Sequence, residues 1–193
     1  EFKYPETCCI RSYNPTVKVN IKQIKRAVEM MQQSQRPVLY VGGGIICANA
    51  AKELTAFAKK AGIPVTTTLT GLGAFPEDDK LSLGMLGMHG TAYANHAIQE
   101  SDLLISIGAR FDDRVTGKID AFAPHAKIIH IDIDPSSISK NVIVDLPIVG
   151  DAKSALTALQ TYSKKLSIAP WLKQIETWKK HGALQYKQDS KLR

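Results

Sequence analysis

The sequence predicts an α/β protein of three layers, with a mostly parallel, Rossmann-like sheet between two layers of helices. Three observations predict it. Short apolar runs alternate with amphipathic stretches along the chain. The connections between successive runs are crossovers, as parallel strands covered on both faces require. Four of the strands finish in a distinctive loop at their carboxyl end, where open α/β sheets bind ligands.

Residues 1–19 carry two prolines and no sustained period, and read as an extended lead-in. Asn20 is placed to cap a helix running through Gln35, with Ile21, Ile24, Val28 and Met31 on one face. Pro37-Val38-Leu39-Tyr40-Val41 is a buried strand ended by Gly42-Gly43-Gly44. A helix follows over about 49–61, burying Leu54, Phe57 and Ala58; Gly62 stops it, and 63–68 form the second strand. Residues 70–90 hold five glycines, Pro76 and a charged turn, and read as one long loop. Residues 91–100 are helical, 102–107 the third strand, 127–133 the fourth, and 142–149 hold a fifth. A short helical turn is expected near Ala121. Asp151 can cap a helix to about Leu166, and a last helix starts at Pro170 and runs to about Lys187 with Trp171, Ile175, Trp178 and Leu184 on one side. The expected organisation is a lead-in (1–19), one α/β domain (20–166) and a C-terminal helix and linker (167–193).

At 193 residues the chain suits one domain with a sizeable core. Its composition, 44% hydrophobic and 22% charged, is that of a globular protein. No apolar run approaches the roughly 18 residues of a membrane helix. The start Glu1-Phe2-Lys3 and the polar end 187–193 suggest a piece cut from a longer protein. Cys8, Cys9 and Cys47 show no metal spacing, adjacent cysteines pair poorly, and a reducing, cytoplasmic setting is expected. The net charge of +7 is scattered along helices, with no RNA-module aromatics and no recognition-helix pattern, which argues against a nucleic-acid partner.

The candidate chemistry sits in the strand-end loops. Gly42-Gly43-Gly44 lets backbone N–H groups approach a ligand, or is simply a tight turn. The dehydrogenase fingerprint fails at its third glycine, where Cys47 stands, and no carboxylate ends the second strand, where Thr68 and Thr70 stand instead. In Gly108-Ala109-Arg110-Phe111-Asp112-Asp113-Arg114, two arginines and two aspartates after a buried strand must pair with each other or bind something. In Ile131-Asp132-Ile133-Asp134, alternation sends both aspartates to one side, positioned for ribose or adenine, or as caps before Pro135. Asp151 is a second possible contact or only an N-cap. Met85-Leu86-Gly87-Met88-His89-Gly90 offers soft contacts to a flat ligand. The histidines show no metal spacing, and no nucleophile elbow or Walker loop is present. These are recognition loops without a catalytic constellation.

The runs 38–44, 68–76, 85–91, 108–117 and 130–135 come in the order and spacing of the large, catalytic subunits of acetolactate synthase (acetohydroxyacid synthase), of bacterial type. The chain resembles that family from about Tyr4 to Gln185, as its central domain only. The resemblance implies an FAD-binding domain. Its cofactor contacts would be Gly42, Gly43, Gly44, Thr68, Leu69, Leu86, Gly87, Met88, His89, Gly108, Ala109, Arg110, Phe111, Asp112, Arg114, Asp132, Ile133, Asp151 and Ala152. Thiamine diphosphate and Mg2+ would be held by domains outside this stretch, so no catalytic or metal-binding residue is expected here. The family's enzymes condense two pyruvates, or pyruvate and 2-oxobutyrate, in branched-chain amino-acid synthesis. The resemblance also implies a second catalytic subunit in a homodimer and a small regulatory subunit. Two rival classes are a free-standing NAD-dependent enzyme and a binding or assembly module that has lost the cofactor.

Overall fold

A computed structural model describes residues 3, 4, 6 and 14–181. The expected first helix is α1, Ile21–Gln33, whose N-cap Asn20 accepts a hydrogen bond from Lys22 N–H at 2.9 Å. Ile24, Ala27, Val28 and Met31 form its buried face. Strand β1 is Pro37–Val41, buried at every position. Next come α2 (Gly43–Cys47), α3 (Ala51–Ala61) and β2 (Val65–Thr67). Then follow β3 (Ser82–Met85), α4 (Ala92–Glu100) and β4 (Leu103–Ile107). The chain continues through α5 (Asp113–Thr116), β5 (Lys127–Asp132), β6 (Leu146–Val149), α6 (Ala152–Tyr162) and α7 (Ala169–His181).

Among the described residues all strands join one parallel sheet in the order β3-β2-β1-β4-β5-β6. The chain starts in the middle, winds outward to β3, then returns across β1 to wind the other way. β1 and β4 therefore mark the switch point of a doubly wound sheet. Pairing is in step, with Leu39 opposite Ile105 and Tyr40 opposite Ser106. Alternation along the strands then separates two cores. Leu39, Val41, Ile105, Ile107, Ile129, Ile131, Leu146 and Ile148 pack with α1, α3 and α6. Val38, Tyr40, Leu104 and Ile128 pack on the opposite face with α4 and α7. Each fully buried aliphatic side chain is worth about 1.5–3 kcal/mol. Half-exposed ion pairs such as Arg36–Glu100, at 3.0 Å, contribute about 0–1 kcal/mol. The two apolar layers, rather than the scattered charges, hold the fold.

The structure departs from the sequence reading at several places. The stretch 70–90 is not one loop, because β3 lies inside it as an edge strand beside β2 with a register shift. Its four residues bury one large apolar side chain, Leu83, and Gly84 sits at φ +67°, so no period marks it. The helix expected over about 49–61 is present as α3, but an unexpected short helix, α2, precedes it from Gly43. Asn49, at φ +49°, separates this short α2 from α3. The fifth strand is confined to Leu146–Val149, and the second to Val65–Thr67. Cys8 and Cys9, most of the lead-in, and the last helix beyond His181 with Leu184 lie outside the described residues.

Helix α7 closes the second core. Trp171 and Ile175 are buried, and the Trp171 indole N–H donates to Pro37 O at 3.2 Å. Trp171 meets Trp178 edge-on with ring centroids 5.6 Å apart. Lys179 Nζ donates to Lys80 O at 2.9 Å and to Ser82 O, tying the helix to the edge of the sheet. Desolvation holds its ammonium pKa below the usual lysine range.

Candidate functional site: a cavity at the switch point

The loops after β1 and β4 leave in opposite directions, and a cavity of about 700 Å³ opens between them at the carboxyl edge of the sheet. The two turns touch backbone to backbone. A Cβ on Gly44 would lie 2.6 Å from Gly108 Cα, and one on Gly42 would lie 2.3 Å from Gly108 O. Gly108 itself is at φ +60°. The glycines thus serve first to let two strand ends meet, and the same approach leaves Gly42, Gly43 and Gly44 on the cavity wall.

The β4–α5 turn contributes Gly108, Ala109, Arg110, Asp112 and Arg114 to the lining. Arg110 pairs with Asp112 at 3.3 Å. Asp112 also caps α5 by accepting from Arg114 N–H at 3.2 Å. That backbone hydrogen bond, with the neighbouring arginine charges adding, holds its carboxyl below the ordinary carboxylate range. Phe111 between them points the other way. It is buried at φ +53°, a conformation costing about 1–3 kcal/mol for a non-glycine residue. Its ring packs on Tyr40, Phe122 and His130 with centroids 5.4, 6.0 and 5.1 Å away. The proposed cofactor contact Phe111 is therefore an anchor in the core, and its side chain does not line this cavity.

From β5 come Ile131, Asp132 and Ile133. The expected sharing of one side by Asp132 and Asp134 does not hold, because the strand ends at Asp132 and the chain turns. Asp132 Oδ1 accepts from Asp134 N–H at 2.9 Å, and Asp134 caps the turn Pro135–Ser137 by accepting from Ser136 N–H at 2.9 Å. Asp132 lines the cavity and Asp134 does not. After β6, Gly150, Asp151 and Ala152 line it as well. Asp151 serves also as the α6 N-cap, accepting from Ser154 N–H at 2.9 Å. Thr68, Leu69 and Thr70 close the side next to β2, with Leu69 70% exposed at the rim.

Leu86, Gly87, Met88 and His89 are not among the lining residues. Leu86 is buried in the second core. Gly87 is held by Asn95, whose side chain accepts from Gly87 N–H at 2.8 Å and donates to Gly87 O at 3.0 Å. Met88 N–H donates to Arg114 O at 3.0 Å while its side chain, 66% exposed, faces outward; His89 is also exposed. Tyr40, Cys47, Ala48, Val115 and Ser137 also line the cavity and carried no signal in the sequence. Cys47 and Ala48 become visible only once α2 is known to begin at Gly43. Tyr40 lies on the opposite strand face, and burial pushes its phenol pKa upward, so the group stays neutral. Among the described residues no His, Cys, Asp and Glu cluster suits a metal ion. No helix there is long and apolar enough to cross a membrane.

Beneath the cavity, His130 is fully buried. Its Nε2 lies 2.9 Å from Ala109 O, so that nitrogen carries the proton. Asp132, at 3.9 Å, pulls its pKa upward, but burial outweighs it and the pKa falls below 6.5. The folded state thus keeps a neutral imidazole, while the unfolded chain binds a proton as pH falls through about 6.5. This contribution to stability is complete above that pH and is lost on acidification, at up to about 1.4 kcal/mol per pH unit. Urea unfolding from pH 7.5 down to 5.5 should show the slope, and His130→Gln should flatten it. An equal slope in the variant would assign the proton uptake elsewhere.

Sheet order, switch-point cavity and strand-end glycines define a doubly wound α/β domain. Residues 24–159 match the family described as thiamine pyrophosphate enzyme, central domain. The chain belongs to that family. It is 48% identical to the acetolactate synthase large subunit of Buchnera aphidicola subsp. Acyrthosiphon pisum over 97% of its own length and 34% of that protein's. It is 46% identical to that of Haemophilus influenzae over 98% of its length and 34% of the relative's. For a probable acetolactate synthase large subunit of Methanocaldococcus jannaschii the identity is 51%, over 92% of this chain and 29% of the relative. The chain thus spans about a third of the length of the curated relatives it matches.

Proposed function

We propose that the switch-point cavity holds FAD and that the chain is the FAD-holding part of a longer enzyme of the acetolactate synthase type. The observation that carries this reading is the convergence of five strand-end loops, after β1, β2, β4, β5 and β6, on one cavity of about 700 Å³. The donor set suits a dinucleotide. Arg110 and Arg114 offer forked donors to phosphate or ring carbonyls, and Asp132 and Asp151 offer acceptors to hydroxyl or amino groups. The glycine turn admits close backbone approach. Leu86, Gly87, Met88 and His89 would act through the β3–α4 loop, which Met88 ties to Arg114 O.

In the whole enzyme, thiamine diphosphate with Mg2+ would supply the carbanion chemistry that joins two pyruvates, or pyruvate and 2-oxobutyrate. This stretch would take no part in the reaction itself. The FAD domain would comprise residues 20–166 with α7 packed on its second core, the lead-in 1–19 and the rest of 167–193 connecting it to its neighbours. The whole enzyme would be a cytoplasmic homodimer of catalytic subunits with a small regulatory subunit.

Adding FAD to the purified chain at a hundred times its Kd should raise stability by about 2.7 kcal/mol. That corresponds to a Tm increase of roughly 5–10 °C for a chain of this size. Flavin absorbance should also co-elute with the protein. A Tm that ignores FAD, together with a colourless protein peak, would refute the reading.

A further inference from the structure

Asn141 stands in the connection between β5 and β6, outside any helix or strand. Its side-chain Nδ2 donates to two successive carbonyls of the neighbouring connection, Arg110 O at 3.1 Å and Phe111 O at 3.0 Å. A primary amide carries two N–H bonds, so both can be used at once. These carbonyls flank the turn at Phe111, whose φ of +53° reverses the chain. That reversal sends the Phe111 ring into the core while Arg110 and Asp112 line the cavity.

We propose that Asn141 is a positioning residue for the ligand cavity, acting through the Arg110–Asp112 turn; this rests on the FAD reading above. The ring of Phe111 anchors only its side chain. Nothing in that anchor sets the direction of the two peptide groups, and a strained turn persists only where its surroundings over-determine it. The Arg110 side chain is 79% exposed and, among the described residues, is tied at 3.3 Å to Asp112, so its placement follows the backbone. A polar cavity of about 320 Å³, lined by Arg110, Asp113, Ser137, Lys140 and Asn141 among others, adjoins the turn. The turn has room to relax on that side once the two amide bonds are gone.

A double-mutant cycle with FAD as the probe tests this. Arg110→Ala and Asn141→Ala should each weaken binding on the order of tenfold. The double variant should bind no more weakly than Arg110→Ala alone, since the second change acts through a side chain already removed. Asn141→Asp keeps the shape but loses both N–H donors, and should match Asn141→Ala. Without FAD, amide hydrogen exchange over residues 110–116 should accelerate about tenfold in both Asn141 variants, with the strand amides unchanged. Additive losses in the cycle, or unaltered exchange in both variants, would overturn the proposal. If the unsubstituted chain takes up no FAD, the cofactor reading fails and the exchange data alone decide the role of Asn141.

Discussion

Gly108→Ala is expected to destabilise the protein by about 2–6 kcal/mol, combining about 1–3 kcal/mol of backbone strain with about 1–3 kcal/mol of overpacking. The strain arises because the residue sits at φ +60°. The overpacking arises because the new methyl would lie 2.6 Å from Gly44 Cα, 3.1 Å from Gly44 C and 3.1 Å from Gly44 N. All three are backbone atoms of the opposing turn, which cannot swing aside like a long side chain. Gly62→Ala is the matched control. Gly62 has φ +76° but nothing within 4 Å of the added methyl, so it should cost only the left-handed penalty of about 1–2 kcal/mol. Urea unfolding of both variants measures the difference. Equal losses would mean that the β1 and β4 turns do not touch as described. Because those turns form two walls of the cavity, Gly108→Ala should also abolish the proposed FAD binding under conditions where it remains folded.

Trp171→Ala should cost about 3–5 kcal/mol, a large part of the 5–15 kcal/mol that ordinary domains possess. Trp171 is 2% exposed in the second core, and its indole N–H satisfies Pro37 O at the start of β1. Removing the ring leaves a cavity under α7 and takes away the edge contact with Trp178. Trp171→Phe, which restores most of the apolar volume but not the N–H, should recover more than half of the loss. The comparison bears on the place of residues 167–193, expected from the sequence to be a helix and linker. If Trp171→Ala unfolds with unchanged stability, α7 is an appendage of the domain. If stability falls as expected, α7 through His181 belongs to its core.

Much of this architecture was legible from local chemistry. β1, β4 and β5 are short apolar runs closed by glycine or by Asp132, and α1, α3, α4 and α6 repeat apolar residues every three or four positions. Asn20, Thr91 and Asp151 each cap the helix that follows. Such signals act over one or two turns of chain, so a single sequence carries them. β3 escaped because its order comes from pairing with β2 and from packing by distant residues, and neither is a local property. α2 escaped because glycine lowers helix propensity, while its position is set by contact with Gly108.

The candidate site divides in the same way. Composition and alternation alone determined a parallel α/β sheet whose polar and glycine-rich loops gather at one edge, with Asp132 ending a strand where a second-strand carboxylate was missing. Tertiary structure decided which of those loops share a wall. It brought the turns after β1, β2, β4, β5 and β6 to one cavity and left Leu86 to His89 to one side. It turned Phe111 inward and separated Asp132 from Asp134. The reason is geometric: a side chain's face within a strand follows from its neighbours in sequence, but in a turn it follows from φ. At Gly108 and Phe111 positive φ is held by contacts with residues far along the chain.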